Sequence, residues 1–267
     1  MGEIYKEYAI SAMLAKFAYG THDTILDLWF KMRDSKRDNF TNVFRGVREV
    51  PEFYDFPGVK GFSIIKDSIL YLVFNGSEPS TSKLVPLSEG LKNSHIKVNS
   101  DLFNQLNTLK ESVINTVNKS LSKINAVHCV GHSHGGAVAT LVAGYISHCY
   151  KFAFTNDKSE LKVVCHTFGS PRIGNEKYAE WFQARRVEHV RIANIHDTVA
   201  ETPRSPFYHH VSNALCIMDD LVVKDLPEKK WHWRLFSGFR FRCYRDFGHN
   251  SDEYTDRLMR LYKGNKI

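Results

Sequence analysis

Hydrophobic positions along the chain change their period several times, and each change marks an element. Residues 61–77, "GFSIIKDSILYLVFNGS", set two apolar stretches around Lys66-Asp67-Ser68 and end at Asn75-Gly76-Ser77. Apolar runs separated by turn residues predict a β-hairpin. Residues 100–124, "SDLFNQLNTLKESVINTVNKSLSKI", carry apolar residues at helical spacing behind a Ser-Asp start, which predicts a long amphipathic helix. "AVHCV" (126–130) is a short apolar run that reads as a buried strand, "LKVVCHTFGSPRIGN" (161–175) reads as a strand running into a turn, and "HVRIANIHD" (189–197) as another strand ending at an acid. Helical patterns stand between and after them: "GAVATLVAGYISHCY" (136–150), "KYAEWFQAR" (177–185) and "SDEYTDRLMRLYKG" (251–264). At the N-terminus, Ile4, Tyr8, Ile10, Met13, Leu14, Phe17 and Ala18 suit one helix face. Residues 78–99 read as a loop-rich segment, and the stretch to residue 245 as irregular strands and loops. Strands alternating with helices predict an α/β fold with a central, mostly parallel sheet flanked by helices. The 267 residues, 43% hydrophobic, suit one domain spanning 1–267.

The junction between the run at 126–130 and the helix at 136–150 reads Gly131-His132-Ser133-His134-Gly135. A G-x-S-x-G motif between strand and helix is the setting of a nucleophile elbow, which makes Ser133 the candidate nucleophile. The bland alternative is a tight turn with a capping serine. A serine hydroxyl needs a histidine to take its proton and an acid to fix that histidine's tautomer. In the α/β-hydrolase fold these follow in the order Ser, acid, His. Asp197 ends the apolar strand "VRIANI", with Asp219 and Asp220 as rivals. Among thirteen histidines, His249 in the loop before the last helix is the favoured base and His210 the second choice. His128, His132 and His134 crowd the elbow too closely to serve as a downstream base. Their clustering suggests metal ligation, but a metal site leaves the elbow serine without a purpose, so no metal is expected. His166, inside a strand, reads as core. An oxyanion hole would draw on the backbone N–H of His134 and on Ser77 at the end of "LYLVFNGS".

Charge and cysteine usage narrow the picture. The formal net charge of +7 is spread widely, favours anionic surfaces, and comes with no nucleic-acid-binding motif. Five scattered cysteines form no CxxC pair, and the N-terminal segment is interrupted by Glu3, Lys6, Glu7 and Lys16. Together these predict a reduced, intracellular, cytoplasmic protein without signal peptide or membrane span. The tract "KKWHWRLFSGFRFRCYR" (229–245) alternates basic and aromatic residues, as a membrane interface or a hairpin with buried aromatics would.

Several of these segments resemble one family, the class 3 lipases, a fungal triacylglycerol lipase-like branch of the α/β-hydrolases. "VGHSHGGAVATL" is similar to its nucleophile segment and "HTFGSPRIGN" to its T-F-G-x-P-R-x-G-N signature. "RIANIHDTVAETP" resembles the block that carries the family's acid, which implies Asp197. "GHNSDEY" resembles the terminal His-x-x-x-x-Tyr segment, which implies His249 as base. "YHHVSNALCI" resembles the Y-x-H block, which makes His210 structural. Ser77 matches the oxyanion position. Asn75 stands where the family has arginine, and Leu84 and Val85 stand where it has Trp and Asp, so the lid region, residues 78–98, departs from the pattern. The resemblance implies a cofactor-free serine carboxylester hydrolase acting on acyl lipids such as acylglycerols. With the basic charge and the missing nucleic-acid motifs, transient contact with a membrane or lipid-droplet surface and no nucleic-acid partner are expected. The alternatives are phospholipase or acyltransferase action by the same residues, or a catalytically silent lipid-binding module.

Overall fold

The computed structural model describes residues 2–35, 42–76, 83–87, 95–150, 160–203, 206–219, 221, 223–226 and 248–264. Its centre is an eight-stranded sheet. The edge begins with β1 (Glu52–Phe56), β2 (Val59–Lys66) and β3 (Ile69–Gly76), paired antiparallel. The turn between β2 and β3 is the Asp67-Ser68 pair, both at positive φ (50° and 60°), the geometry that matches strand twist in a two-residue hairpin.

The loop-rich segment contributes a separate short pair, β4 (Leu84–Pro86) and β5 (Lys97–Asn99). The sheet proper continues in parallel from β3 to β6 (Ala126–His132), β7 (Lys162–Phe168), β8 (Val187–Asn194) and β9 (Ala214–Ile217), and closes on the antiparallel β10 (Val223–Leu226).

Helices cover both faces. α3 (Ser100–Ser120), α4 (His134–Cys149) and α5 (Glu176–Gln183) share one apolar cluster with Leu70, Leu72, Val127, Cys129 and Cys165. α1 (Gly2–Phe17), α2 (His22–Met32) and the terminal α6 (Ser251–Gly264) share the other, with Phe62, Tyr71, Val130, Phe168 and Ile192. Alternate residues of each strand feed opposite clusters, as the period of two requires. No helix among the described residues is long and apolar enough to cross a membrane.

Three details differ from the pattern read along the chain. The cap of α3 is Asn99 rather than the Ser-Asp pair: its Oδ1 accepts from the N–H groups of Asp101 (2.9 Å) and Leu102 (3.2 Å). α2 escaped the sequence reading. It is capped by Thr21, whose Oγ1 accepts from the Thr24 N–H at 3.2 Å, and buries Ile25 and Trp29. β1 also escaped it, because this edge strand buries only Tyr54 and shows no apolar run.

Candidate active site

The site lies where β6 turns into α4. Ser133 sits there with φ 56° and ψ −130°, a conformation that costs of order 1–3 kcal/mol for a residue with a side chain. Its neighbours explain the two glycines. A Cβ on Gly131 would stand 2.2 Å from the Gly135 carbonyl oxygen, and one on Gly135 would stand 2.1 Å from the Phe74 oxygen of β3. Only glycine lets strand, turn and helix approach this closely. The Ser133 N–H is held by the Phe168 carbonyl at 2.8 Å. The N-terminus of α4, including the His134 N–H, opens beside the serine, and the first N–H groups of a helix have no intrahelical acceptor.

The structure brings Ser133, His249 and Asp197 together across more than a hundred residues of chain. The Ser133 hydroxyl lies 2.7 Å from His249 Nε2. His249 Nδ1 lies 3.0 Å from each Asp197 carboxylate oxygen. A carboxylate only accepts, so Nδ1 carries the proton and Nε2 presents its lone pair to the serine. Asp197 is fully buried, just beyond the end of β8, while the His249 side chain remains about one-fifth exposed. The buried carboxylate is fully provided with donors. The Val199 and Ala200 N–H groups reach Oδ1 at 2.9 and 3.2 Å, and the Tyr254 hydroxyl reaches Oδ2 at 2.6 Å. Burial, with the Asp197 charge beside it, pushes the Tyr254 phenol well above its ordinary range, so it stays a donor.

Further residues hold these three in place. His132 donates from Nε2 to the His249 carbonyl (2.5 Å) and accepts at Nδ1 from the Tyr19 hydroxyl (2.7 Å). Burial and the neighbouring His249 ring lower its pKa to about 4, so it stays a neutral bracket. Asn194 Nδ2 donates to the Gly248 carbonyl at 2.9 Å, fixing the residue before His249. Gly169, at φ +60°, leaves room for the Asp197–His249 pair, since a Cβ there would stand 2.4 Å from Asp197 Oδ2. Buried Arg172 binds the backbone carbonyls of Glu201 and Pro203, which ties the "GSPRIGN" turn to the loop after Asp197. Tyr254, Gly169 and Arg172 all lie within motifs quoted above, yet their contacts with the acid's surroundings were not visible in the pattern.

The rival residues lie elsewhere. His210 is buried and donates to the Ala200 carbonyl at 2.8 Å. Asp219 accepts from His196 at 2.8 Å, on the surface. His134 is buried, directs Nε2 at Gln105 Oε1 (2.8 Å), and is lowered by burial to about 4. His128, His132 and His134 do not converge: His128 faces Glu7 and His166 instead. Asn75 directs Nδ2 to the Ala18 carbonyl at 3.3 Å. Ser77, Asp220, most of the lid region and the basic-aromatic tract with Trp231 and Trp233 lie outside the described residues.

A strained serine on a strand–helix turn of a mostly parallel sheet, hydrogen-bonded to a histidine that a buried aspartate orients, defines an α/β-hydrolase. The chain belongs to the class 3 lipases: the family model described as Lipase (class 3) matches residues 71–207, just over half of it. It is 32% identical over 114 residues to Toxin TseL of Vibrio cholerae, covering 40% of this chain and 16% of that protein. It is 36% identical over 83 residues to the Secreted mono- and diacylglycerol lipase 1 of Fusarium solani, covering 31% of this chain and 22% of that one. The matches thus span less than a quarter of these relatives' lengths. Among solved structures, the triacylglyceride lipase of Rhizomucor miehei superposes with a TM-score of 0.68 at 17% identity, covering 95% of this chain and 98% of that one. That likeness is one of fold.

Proposed function

We propose that this chain works as a single unit, a serine hydrolase that cleaves carboxylic esters of acyl lipids through a covalent acyl-enzyme. Ser133 attacks the ester carbonyl while His249 takes its proton. The histidine returns that proton to the leaving alcohol, and a water activated by the same imidazole releases the acyl group. Asp197 holds the tautomer and offsets the charge of the imidazolium. The His134 N–H, with Ser77, supplies the oxyanion hole; one such donor is typically worth about 3 to 4 kcal/mol. The observation that carries this reading is the unbroken hydrogen-bond chain from Ser133 through His249 to Asp197.

Acylglycerols are the favoured substrates, since a relative is named for mono- and diacylglycerol. The net charge of +7 supports transient contact with an anionic lipid surface. Cys129, Cys149 and Cys165 are free thiols, which supports a reducing cytoplasmic location. The secreted relative makes an extracellular site the rival, and fractionating the native protein decides between them.

The test is hydrolysis of p-nitrophenyl esters of short and long acyl chains by the wild type and by Ser133→Ala. Loss of at least about a thousandfold in kcat with an unchanged circular dichroism spectrum is expected. A fully active Ser133→Ala protein would sink the proposal. Silence of the wild type on esters and on anionic liposomes, with no labelling by a fluorophosphonate, would leave a lipid-binding module in its place. Release of fatty acid from phospholipid but not from diacylglycerol would move the assignment to a phospholipase.

A further inference from the structure

A second cluster of polar side chains lies within the strands β6 and β7, set back from Ser133. His128 of β6 stands opposite Val164, and His166 of β7 stands opposite Val130, so the two imidazoles are diagonal neighbours on one face. α1 lays Glu7 over them. Glu7 Oε1 is 3.9 Å from His128 Nδ1 and 3.8 Å from His166 Nε2, and the three ligand-capable atoms all lie within 4.8 Å of one another. His128 is 95% buried, yet its Nδ1, aimed at this point, has no hydrogen-bond partner among the described residues. A buried polar atom left in this state is costly unless something fills the gap.

From these positions we propose that Glu7, His128 and His166 form a site for a divalent transition-metal ion, Zn2+ in the first instance, that staples α1 to β6 and β7.

The donor set is two imidazoles and a carboxylate, which suits zinc with a water in the fourth position. Ligands held at about 2.0–2.2 Å in a tetrahedron lie about 3.4 Å apart. The Glu7 oxygen stands a few tenths of an ångström beyond this spacing, which rotation of its half-exposed side chain can close, and the two ring nitrogens, within 4.8 Å of each other, would close theirs by rotation of the imidazoles. The supporting contacts fit as well. His166 Nδ1 lies 2.9 Å from Ser11 Oγ, so Nδ1–H can donate outward while Nε2 faces the cluster. Tyr8 packs edge-on against His166 and Tyr71 against His128. Burial keeps both rings unprotonated, as metal ligation requires. Lys162, whose charge also reaches the cluster, is paired with Glu188 at 2.7 Å.

His128 and Ser133 are five residues apart on one extended run, roughly 15 Å, so the ion would take no part in ester cleavage. The proposal thus stands apart from the hydrolase assignment.

The full chain, stripped with EDTA and freed of chelator, is titrated with Zn2+ by calorimetry and with Co2+ by visible absorption. The expected result is one Zn2+ per chain, visible Co2+ bands of a four-coordinate site, and a melting temperature higher by about 5 °C at saturating Zn2+. Glu7→Gln, which changes a half-exposed group and spares the core, should weaken Zn2+ binding at least tenfold and cancel the shift in melting temperature. Ser11→Ala should weaken binding by a smaller factor. Absence of binding by the wild type, or the same affinity in Glu7→Gln, overturns the proposal. Loss of binding in His249→Ala instead would place the ion at the hydrolytic site and overturn it equally.

Discussion

At Ser133 the backbone is held in a conformation that a serine does not choose, and the two glycines beside it are required because a Cβ on Gly131 or Gly135 would stand 2.2 or 2.1 Å from a backbone oxygen. Gly135→Ala would drive a methyl into the β3 backbone at Phe74, which cannot yield as a flexible side chain does. A loss of about 3 kcal/mol or more in urea unfolding is expected, together with loss of ester hydrolysis. Tyr254 is the informative positioning residue. Its hydroxyl donates to Asp197 at 2.6 Å and accepts from the Asn194 N–H at 2.9 Å. Tyr254→Phe removes both bonds while keeping the ring, so stability should fall by about 1.5–3 kcal/mol. Because Asp197 keeps its two backbone donors, kcat should fall roughly tenfold rather than vanish, with KM little changed. A Tyr254→Phe protein with wild-type kcat would show that the backbone donors alone suffice.

At the scale of elements, His249 depends on a helix that contributes no reacting atom. The residue sits just ahead of α6, and α6 is anchored through buried Tyr254 and Leu258 in the cluster shared with α1, including Leu14 and Ala15. Leu258→Ala should cost about 2–5 kcal/mol in stability. It should also loosen the histidine, lowering kcat beyond what the unfolded fraction explains, which activity measured well below the melting temperature would reveal. α1 brackets the site a second way, through Tyr19 just beyond its end, which donates to His132, which in turn holds the His249 carbonyl. Tyr19→Phe is expected to leave the fold intact and to reduce kcat by a few-fold.

For the whole molecule, buried histidines set the response to acid. His128, His132 and His134 are each lowered by burial to about 4, and His189 to about 3. In the unfolded chain these groups titrate near 6.5, so between about pH 6.5 and pH 4 the unfolded state binds more protons than the folded one. Their contribution to stability is therefore fully present above pH 6.5 and is lost on acidification through that window. Melting temperature, measured in chelator, should fall steadily as pH drops from 6.5 to 4. His134→Gln should make that fall shallower, provided the amide keeps a contact with Gln105. A flat profile would show that these rings become solvated before the molecule unfolds.

Much of the architecture was written in local pattern. The β2–β3 hairpin, the long α3, the buried runs of β6, β7 and β8 and the closing α6 follow from periodicity and turn residues, which act over a few neighbours and need no knowledge of the rest of the chain. The elbow was legible for the same reason: its glycines answer to contacts within a turn and with an adjacent strand. α2 and the edge strand β1 were not, because their burial is partial and depends on what packs against them. The sequence alone, through its chain order and motifs, named Ser133, Asp197 and His249 as candidates and left His210 and Asp219 as rivals. Only the tertiary structure decided which side chains meet, since residues 133, 197 and 249 approach within 3 Å by virtue of parallel strand order and the packing of α6 on α1. It also drew His128 away from the neighbouring elbow histidines and set it beside His166 and Glu7. Adjacency along a chain says little about contact across a sheet, where strand register and the covering helix choose the neighbours.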